Sequence, residues 1–151
     1  MKGSGEQEEH EAFFDTNILA YAFDGSEARR KQKCESLVRS GFQGDAICHV
    51  SNQVLSELFV VLTKHATRPL SKEKAGVIVN GFVDSSKWIK INYTHMTVKR
   101  VLFDLETINA PFWDLLIAET MKEAKVRTIY TENERDFAKI PWVKVVNPLR
   151  N

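Results

Sequence analysis

Five short apolar runs, separated by longer stretches of helical character, constrain this 151-residue chain more than any other feature. AFF (12–14), AICHV (46–50), WIKI (88–91), TIY (128–130) and VKVV (143–146) have the length and the β-branched or aromatic content of buried strands. Between them, residues 27–40, 52–65, 71–84, 97–107 and 111–125 read as helices. Ser71 and Thr97 suit N-caps, Pro111 suits a first helical turn, and Gly41 and Gly44 break the chain before the second strand. Connections of this length carry a chain over a sheet rather than through a hairpin. The predicted fold is therefore α/β, a parallel sheet flanked by helices in a sandwich.

Length and composition narrow the rest. The chain is one domain by size, and a net charge of +1 with 27% charged residues gives no global field. A polyanion would have to be held by a local basic patch or through metal ions. Cys34 and Cys48 lack metal-ligand spacing and read as reduced thiols of an intracellular, cytoplasmic protein. No apolar run approaches the roughly 18 residues that span a bilayer, which argues against a membrane partner. MKGSGEQEEHE (1–11) is polar, carries no signal-peptide core, and is taken as a loose leader outside the domain at 12–151.

In an open α/β sheet, ligands gather outside the carboxyl ends of the strands. Asp15 directly follows AFF, and TENERD (131–136) directly follows TIY. Glu57 sits at the edge of the apolar arc formed by Val54, Leu55, Leu58, Phe59, Val61 and Leu62. Asp114 stands in the first turn of the apolar helix APFWDLLIAETM. Each acid has an ordinary explanation: a boundary Glu paired with a Lys, an Asp favouring a helix N-terminus, a charged surface turn. Their convergence on one end of a sheet is what departs from the ordinary. Carboxylates gathered there repel one another unless a divalent cation neutralises them, and hard oxygen donors suit Mg²⁺ or Mn²⁺. Such a centre activates water against a phosphodiester without a nucleophilic Ser or Cys. His10, His49, His65 and His95 show no ligand spacing, and His49 and His65 read as structural.

Taken together, FFDTNILAYAFD (13–24), SNQVLSELFVVL (51–62), FWDLLIA (112–118), IYTEN (129–133) and VVNP (145–148) resemble the PIN-domain ribonucleases. The closest likeness is to the toxin branch of VapBC-type toxin–antitoxin pairs. The resemblance implies about five parallel strands between helix layers and a Mg²⁺- or Mn²⁺-dependent endoribonuclease. It makes Asp15 the central metal ligand, with Glu57 and Asp114 completing the acidic site. Thr16 and Asn17 would support Asp15, and Thr131 would hold a water or a neighbouring carboxylate. The family's usual fourth acid falls at Asn133, which brings no charge. Asp136 fits a family variant, Thr-x-Asn-x-x-Asp-Phe, and is favoured over Glu132 and Glu134 as the substitute.

The resemblance further implies RNA as substrate, a cognate antitoxin and a homodimer. Arg29, Arg30, Lys31 and Lys33 on the first long helix, and Arg127 and Arg135 near the last strand end, are the cations available to RNA phosphates. The helices at 52–65 and 71–84, with Val77, Ile78, Val79 and Phe82, offer apolar surface for a dimer. Two alternatives compete. A phosphoaspartyl enzyme would want a second Asp two residues after Asp15, where Asn17 stands. A PIN-like module that binds RNA or protein without cutting is favoured by Asn133.

Overall fold

Strands that are apolar on both faces need helices on both faces, and the order of the strands decides which helix goes where. The computed structural model describes residues 11–25 and 28–150. It places β1 (Glu11–Phe14), β2 (Ile47–Ser51), β3 (Ile89–Ile91), β4 (Thr128–Tyr130) and β5 (Lys144–Val146) in one sheet, in the order β3-β2-β1-β4-β5. Every pairing is parallel, with Phe13 opposite both His49 and Ile129. The chain steps outward from β1 to β3, then returns past β1 to β4 and β5. Right-handed crossovers put the helices of the two directions on opposite faces. The result is a three-layer α/β/α sandwich whose switch point lies between β1 and β4.

One face carries α1 (Thr16–Phe23), α2 (Ala28–Gln43), α3 (Asn52–Val60) and α4 (Lys72–Asp84). The other carries α5 (His95–Asp104), α6 (Phe112–Glu123) and the short α7 (Glu134–Phe137). Beneath α2 and α4, Phe14, Phe42, Phe82 and Trp88 meet edge to face or tilted at 4.9–5.8 Å between centroids. Each such contact adds about 0.5–1.5 kcal/mol beyond the area it buries. α6 is buried from Leu115 to Met121, so Asp114 is fixed at the start of a rigid element.

Several local expectations change. Helix α1 has no counterpart in the predicted elements. Its Ile18, Leu19, Ala20 and Ala22 are all buried, so apolar residues on every side erased the period that marks an amphipathic helix. α2 runs three residues past Ser40, with Gly41 inside it, and only Gly44, at φ 79°, turns the chain. Helix α3 ends in a π turn, Val61–His65. α5 is capped by Thr94, not Thr97. Thr97 instead accepts from the Thr94 N–H at 2.9 Å and donates to Glu123 at 2.6 Å. Pro111 is the N-cap of α6 rather than its first turn. Glu11, the last residue of the expected leader, belongs to β1 and meets His49 Nε2 at 2.8 Å. The remainder of that leader, and Glu27, lie outside the described residues. Phe82 is fully buried and contributes no dimer surface, whereas Val77 is exposed.

Candidate active site

Asp15 leaves β1 at the switch point, where its backbone N–H donates to Tyr130 O at 3.0 Å and so ties it to the end of β4. It is also the N-cap of α1, accepting from the Thr16 N–H through Oδ1 at 2.8 Å. The Thr131 hydroxyl donates to the other oxygen, Oδ2, at 2.7 Å. Both oxygens are thereby oriented before any ligand arrives. Burial pushes the Asp15 carboxyl above its usual range; the Thr131 and Thr16 hydrogen bonds oppose this, and Glu57 adds to it.

Glu57 reaches the same place from α3. Its Oε2 accepts from the Thr16 hydroxyl at 2.8 Å and its Oε1 from Gln53 Nε2 at 3.1 Å. Thr16 thus supports Asp15 only through its backbone and gives its side chain to Glu57. Asn17 makes no hydrogen bond to the Asp15 carboxylate. Its amide bridges to the β4–α7 loop, donating to Thr131 at 3.5 Å and accepting from the Glu132 N–H at 3.3 Å.

Asp114 enters from the opposite helix layer. Its carboxyl is pushed up to about 6, first by burial, then by the charges of Asp15 and Asp136. The Asn133 amide donates to Asp114 Oδ2 at 3.2 Å and partly offsets this, while Glu57 adds to it. Four acids from β1, α3, α6 and α7 are therefore in one field. Among the described residues, no Lys or Arg pairs with Asp15, Glu57 or Asp114. Nor do three His, Cys, Asp or Glu side chains among them stand as a closed ligand cluster. The electrostatic coupling, rather than a preformed cage, marks the group.

The three acids that could substitute for Asn133 separate cleanly. Glu132 accepts from the Tyr21 hydroxyl at 2.7 Å and lies 3.6 Å from Arg30. Glu134 is held by Asn147 at 3.1 Å and by Arg150 at 2.8 Å. Asp136, loosely paired with Lys139 at 3.8 Å, is the one whose charge reaches Asp114.

The cations are less concentrated. Arg29, Lys33 and Arg135 are exposed. Arg30 lies over the Tyr21 ring, 5.4 Å from its centroid, and donates to its hydroxyl. Lys31 lines a separate cleft between α1, α2 and α4. Arg127 precedes β4 and so stands at the amino end of the sheet, away from the acids. Cys34 and Cys48 are buried, free, and pushed up to about 11 and about 12 by burial, which leaves them inert.

Sequence reasoning passed over Gln53, although its place four residues before Glu57 puts both on one helix face. His65, read as structural, lines a cleft of about 560 Å³ with Asp15, Thr16, Asn17 and Glu57. The π turn carries it there, and no pattern of residue spacing announced that turn.

A parallel sheet ordered 3-2-1-4-5 between two helix layers, with acids at its switch point, places the chain among the α/β/α sandwich domains. The PIN domain model matches residues 12–143, and the chain belongs to the PIN domain family. Mycobacterium tuberculosis VapC20, solved as a sarcin-ricin loop cleaving toxin, superposes with a TM-score of 0.67 at 18% identity, covering 87% of this chain and 96% of that one. A toxin–antitoxin complex from Klebsiella pneumoniae gives 0.64 at 21% identity, covering 91% and 97%. DNA-bound VapBC from Salmonella typhimurium gives 0.61 at 19%, covering 91% and 98%. At these identities the likeness is one of fold. No curated protein sequence matches the chain.

Proposed function

We propose that this chain is a Mg²⁺- or Mn²⁺-dependent endoribonuclease, the toxin of a toxin–antitoxin pair. The observation that carries the proposal is the gathering of Asp15, Glu57 and Asp114 at the switch point, joined through Thr16, Thr131 and Asn133, with no Lys or Arg among the described residues pairing them. Hard oxygen donors in excess of positive charge fit a hard divalent cation. Asp15, Glu57 and Asp114 would hold it, with Asp136 as the further carboxylate. When bound, such an ion neutralises the acids, acidifies a water and stabilises charge developing on the phosphate.

The chain's own residues supply orientation. Thr131 and the Thr16 N–H fix the two oxygens of Asp15, and Thr16 Oγ1 and Gln53 fix those of Glu57. Ligand carboxylates steadied this way lose little freedom when they bind. Asn133 holds Asp114 in one rotamer without adding charge. Arg29, Lys33 and Arg135 are free to meet RNA phosphates, while Arg30 contributes charge from a position fixed by Tyr21 and Glu132.

Attack by water leaves no cyclic product. End-group analysis of cleaved RNA therefore tests the chemistry: a 2′,3′-cyclic phosphate would contradict it. The toxin half of the proposal draws on the structural neighbours, two of which were solved as toxin–antitoxin or VapBC assemblies. It entails a cytoplasmic protein, an antitoxin that covers the acidic cleft with a basic side chain, and a homodimer. A monomeric mass in light scattering would count against the dimer. The Asn133 amide facing Asp114 supports a second reading, a weakened domain that binds RNA or protein without cutting. Mn²⁺ binding without cleavage would distinguish it.

A further inference from the structure

We propose that a cleft beside Glu57 is a pocket for one unpaired base of the RNA strand; this rests on the ribonuclease reading above. The open cleft has a volume of about 380 Å³ and is lined by Asn52, Gln53, Glu57, Asn92, Tyr93 and Trp113. Its lining contains no Lys or Arg, so its chemistry suits the base rather than the phosphate.

Two aromatic rings stand open there. Trp113 is 59% exposed and Tyr93 36%, which is unusual for an indole, a side chain that is highly buried on average. Phe112 meets the Trp113 ring at 88° and 5.4 Å and steadies it. Rings exposed in this way stack on unpaired bases whatever their sequence. Three amides surround them, and each carries both donor and acceptor, the complement of a base edge. Gln53 has already given its N–H₂ to Glu57, an acceptor-only carboxylate, so its carbonyl oxygen remains for a ligand.

Position joins the pocket to the chemistry. Asn52 and Gln53 follow the carboxyl end of β2, and Asn92 and Tyr93 follow that of β3, on the same rim as Asp15. Ser56 and Glu57 line both this cleft and the one containing Asp15. A strand with one phosphate at the carboxylates thus has a neighbouring base within reach of Trp113.

Tryptophan fluorescence reads this directly, because Trp88 is buried and Trp142 lies under Lys122 at 4.3 Å. Protein carrying Asp15→Asn, to prevent hydrolysis, is titrated in Mg²⁺ with a short single-stranded RNA. The same strand is then tested with single bases removed in turn to leave abasic ribose. The expected result is quenching by the intact strand and, with the strand end-labelled and binding followed by its fluorescence anisotropy so that variants lacking the indole are read too, affinity about tenfold or more lower in Trp113→Ala, partial recovery in Trp113→Phe, and a similar loss for one abasic position. Tyr93→Ala gives an independent check on a second ring, and melting curves confirm that the variants are folded. No quenching, equal affinity in Trp113→Ala, or equal binding of every abasic strand would overturn the pocket. RNA cleavage in Mn²⁺ is measured separately, so loss of the pocket leaves the nuclease reading standing, and stacking without cleavage does the reverse.

Discussion

Thr131 and Asp15 lie 116 residues apart in the chain, yet the Thr131 hydroxyl donates to Asp15 Oδ2 at 2.7 Å. Thr131 Oγ1 in turn accepts from the Asn133 N–H at 2.9 Å, and Thr131 is fully buried. A single hydroxyl therefore couples the carboxylate at the end of β1 to the loop that carries Asn133. Thr131→Val keeps the shape and removes that donor. Metal affinity or cleavage should fall about 10–100-fold with little change in fold, as for other residues that orient a ligand. Calorimetry with Mn²⁺ checks this, and an unchanged affinity would show that Asp15 needs no such support.

Asn133→Asp replaces a donor facing Asp114 with a fourth fixed carboxylate. Without metal, the added repulsion should lower the melting temperature; with Mn²⁺, binding should tighten and cleavage rise about tenfold. Melting curves with and without Mn²⁺ separate the two effects. A variant that is no better than the parent in Mn²⁺ would show that Asp136 already fills the fourth place.

The Asp114 carboxyl, pushed up to about 6 from its ordinary 3.8, binds its proton more tightly folded than unfolded. Its contribution to metal-free stability therefore declines as pH rises between about 4 and about 6, and is constant above. Asp114→Asn removes the repelling charge, so the metal-free variant should melt a few degrees above the parent at pH 7.5 and converge on it near pH 4. Metal binding has the opposite pH dependence, because the ion needs the ionised acid. Mn²⁺ affinity of the parent should drop steeply below pH 6. Thermal melts across pH with EDTA test the first sign, and calorimetry tests the second.

Gly41 is a buried residue of α2 that packs against Trp88 and Cys48. A Cβ there would stand 2.8 Å from the Trp88 ring and 2.9 Å from Cys48 Sγ. Gly41→Ala gains about 1 kcal/mol in helix propensity, but displacing a buried indole costs about 1–3 kcal/mol. The clash should win, and urea denaturation should show a lower midpoint with an unchanged slope.

The sheet was legible because AFF, AICHV, WIKI, TIY and VKVV are short apolar or β-branched runs set between helical stretches, and each overlaps an observed strand, although β3 and β5 at the sheet edges are only partly buried. Five of the helices were legible from their period. α1 was not, since Ile18, Leu19 and Ala20 bury all its sides, and α7 is a single turn with no period to read. The acids were visible as carboxylates out of place among apolar neighbours. What holds them was not: Gln53 on Glu57 and Asn133 on Asp114 are side-chain pairings that depend on rotamers and on how α3 and α6 face the sheet. Arg127 was misplaced for a related reason. Proximity in sequence to TIY said nothing about which end of β4 it occupies.

The most direct test is cleavage of total RNA by the purified protein in Mn²⁺, beside Asp114→Asn and with EDTA as control. Cleavage should be abolished by EDTA and absent from the variant, although the variant folds and melts no lower than the parent. Cleavage that survives EDTA or the loss of Asp114 would contradict an acidic metal centre at the β1–β4 switch point.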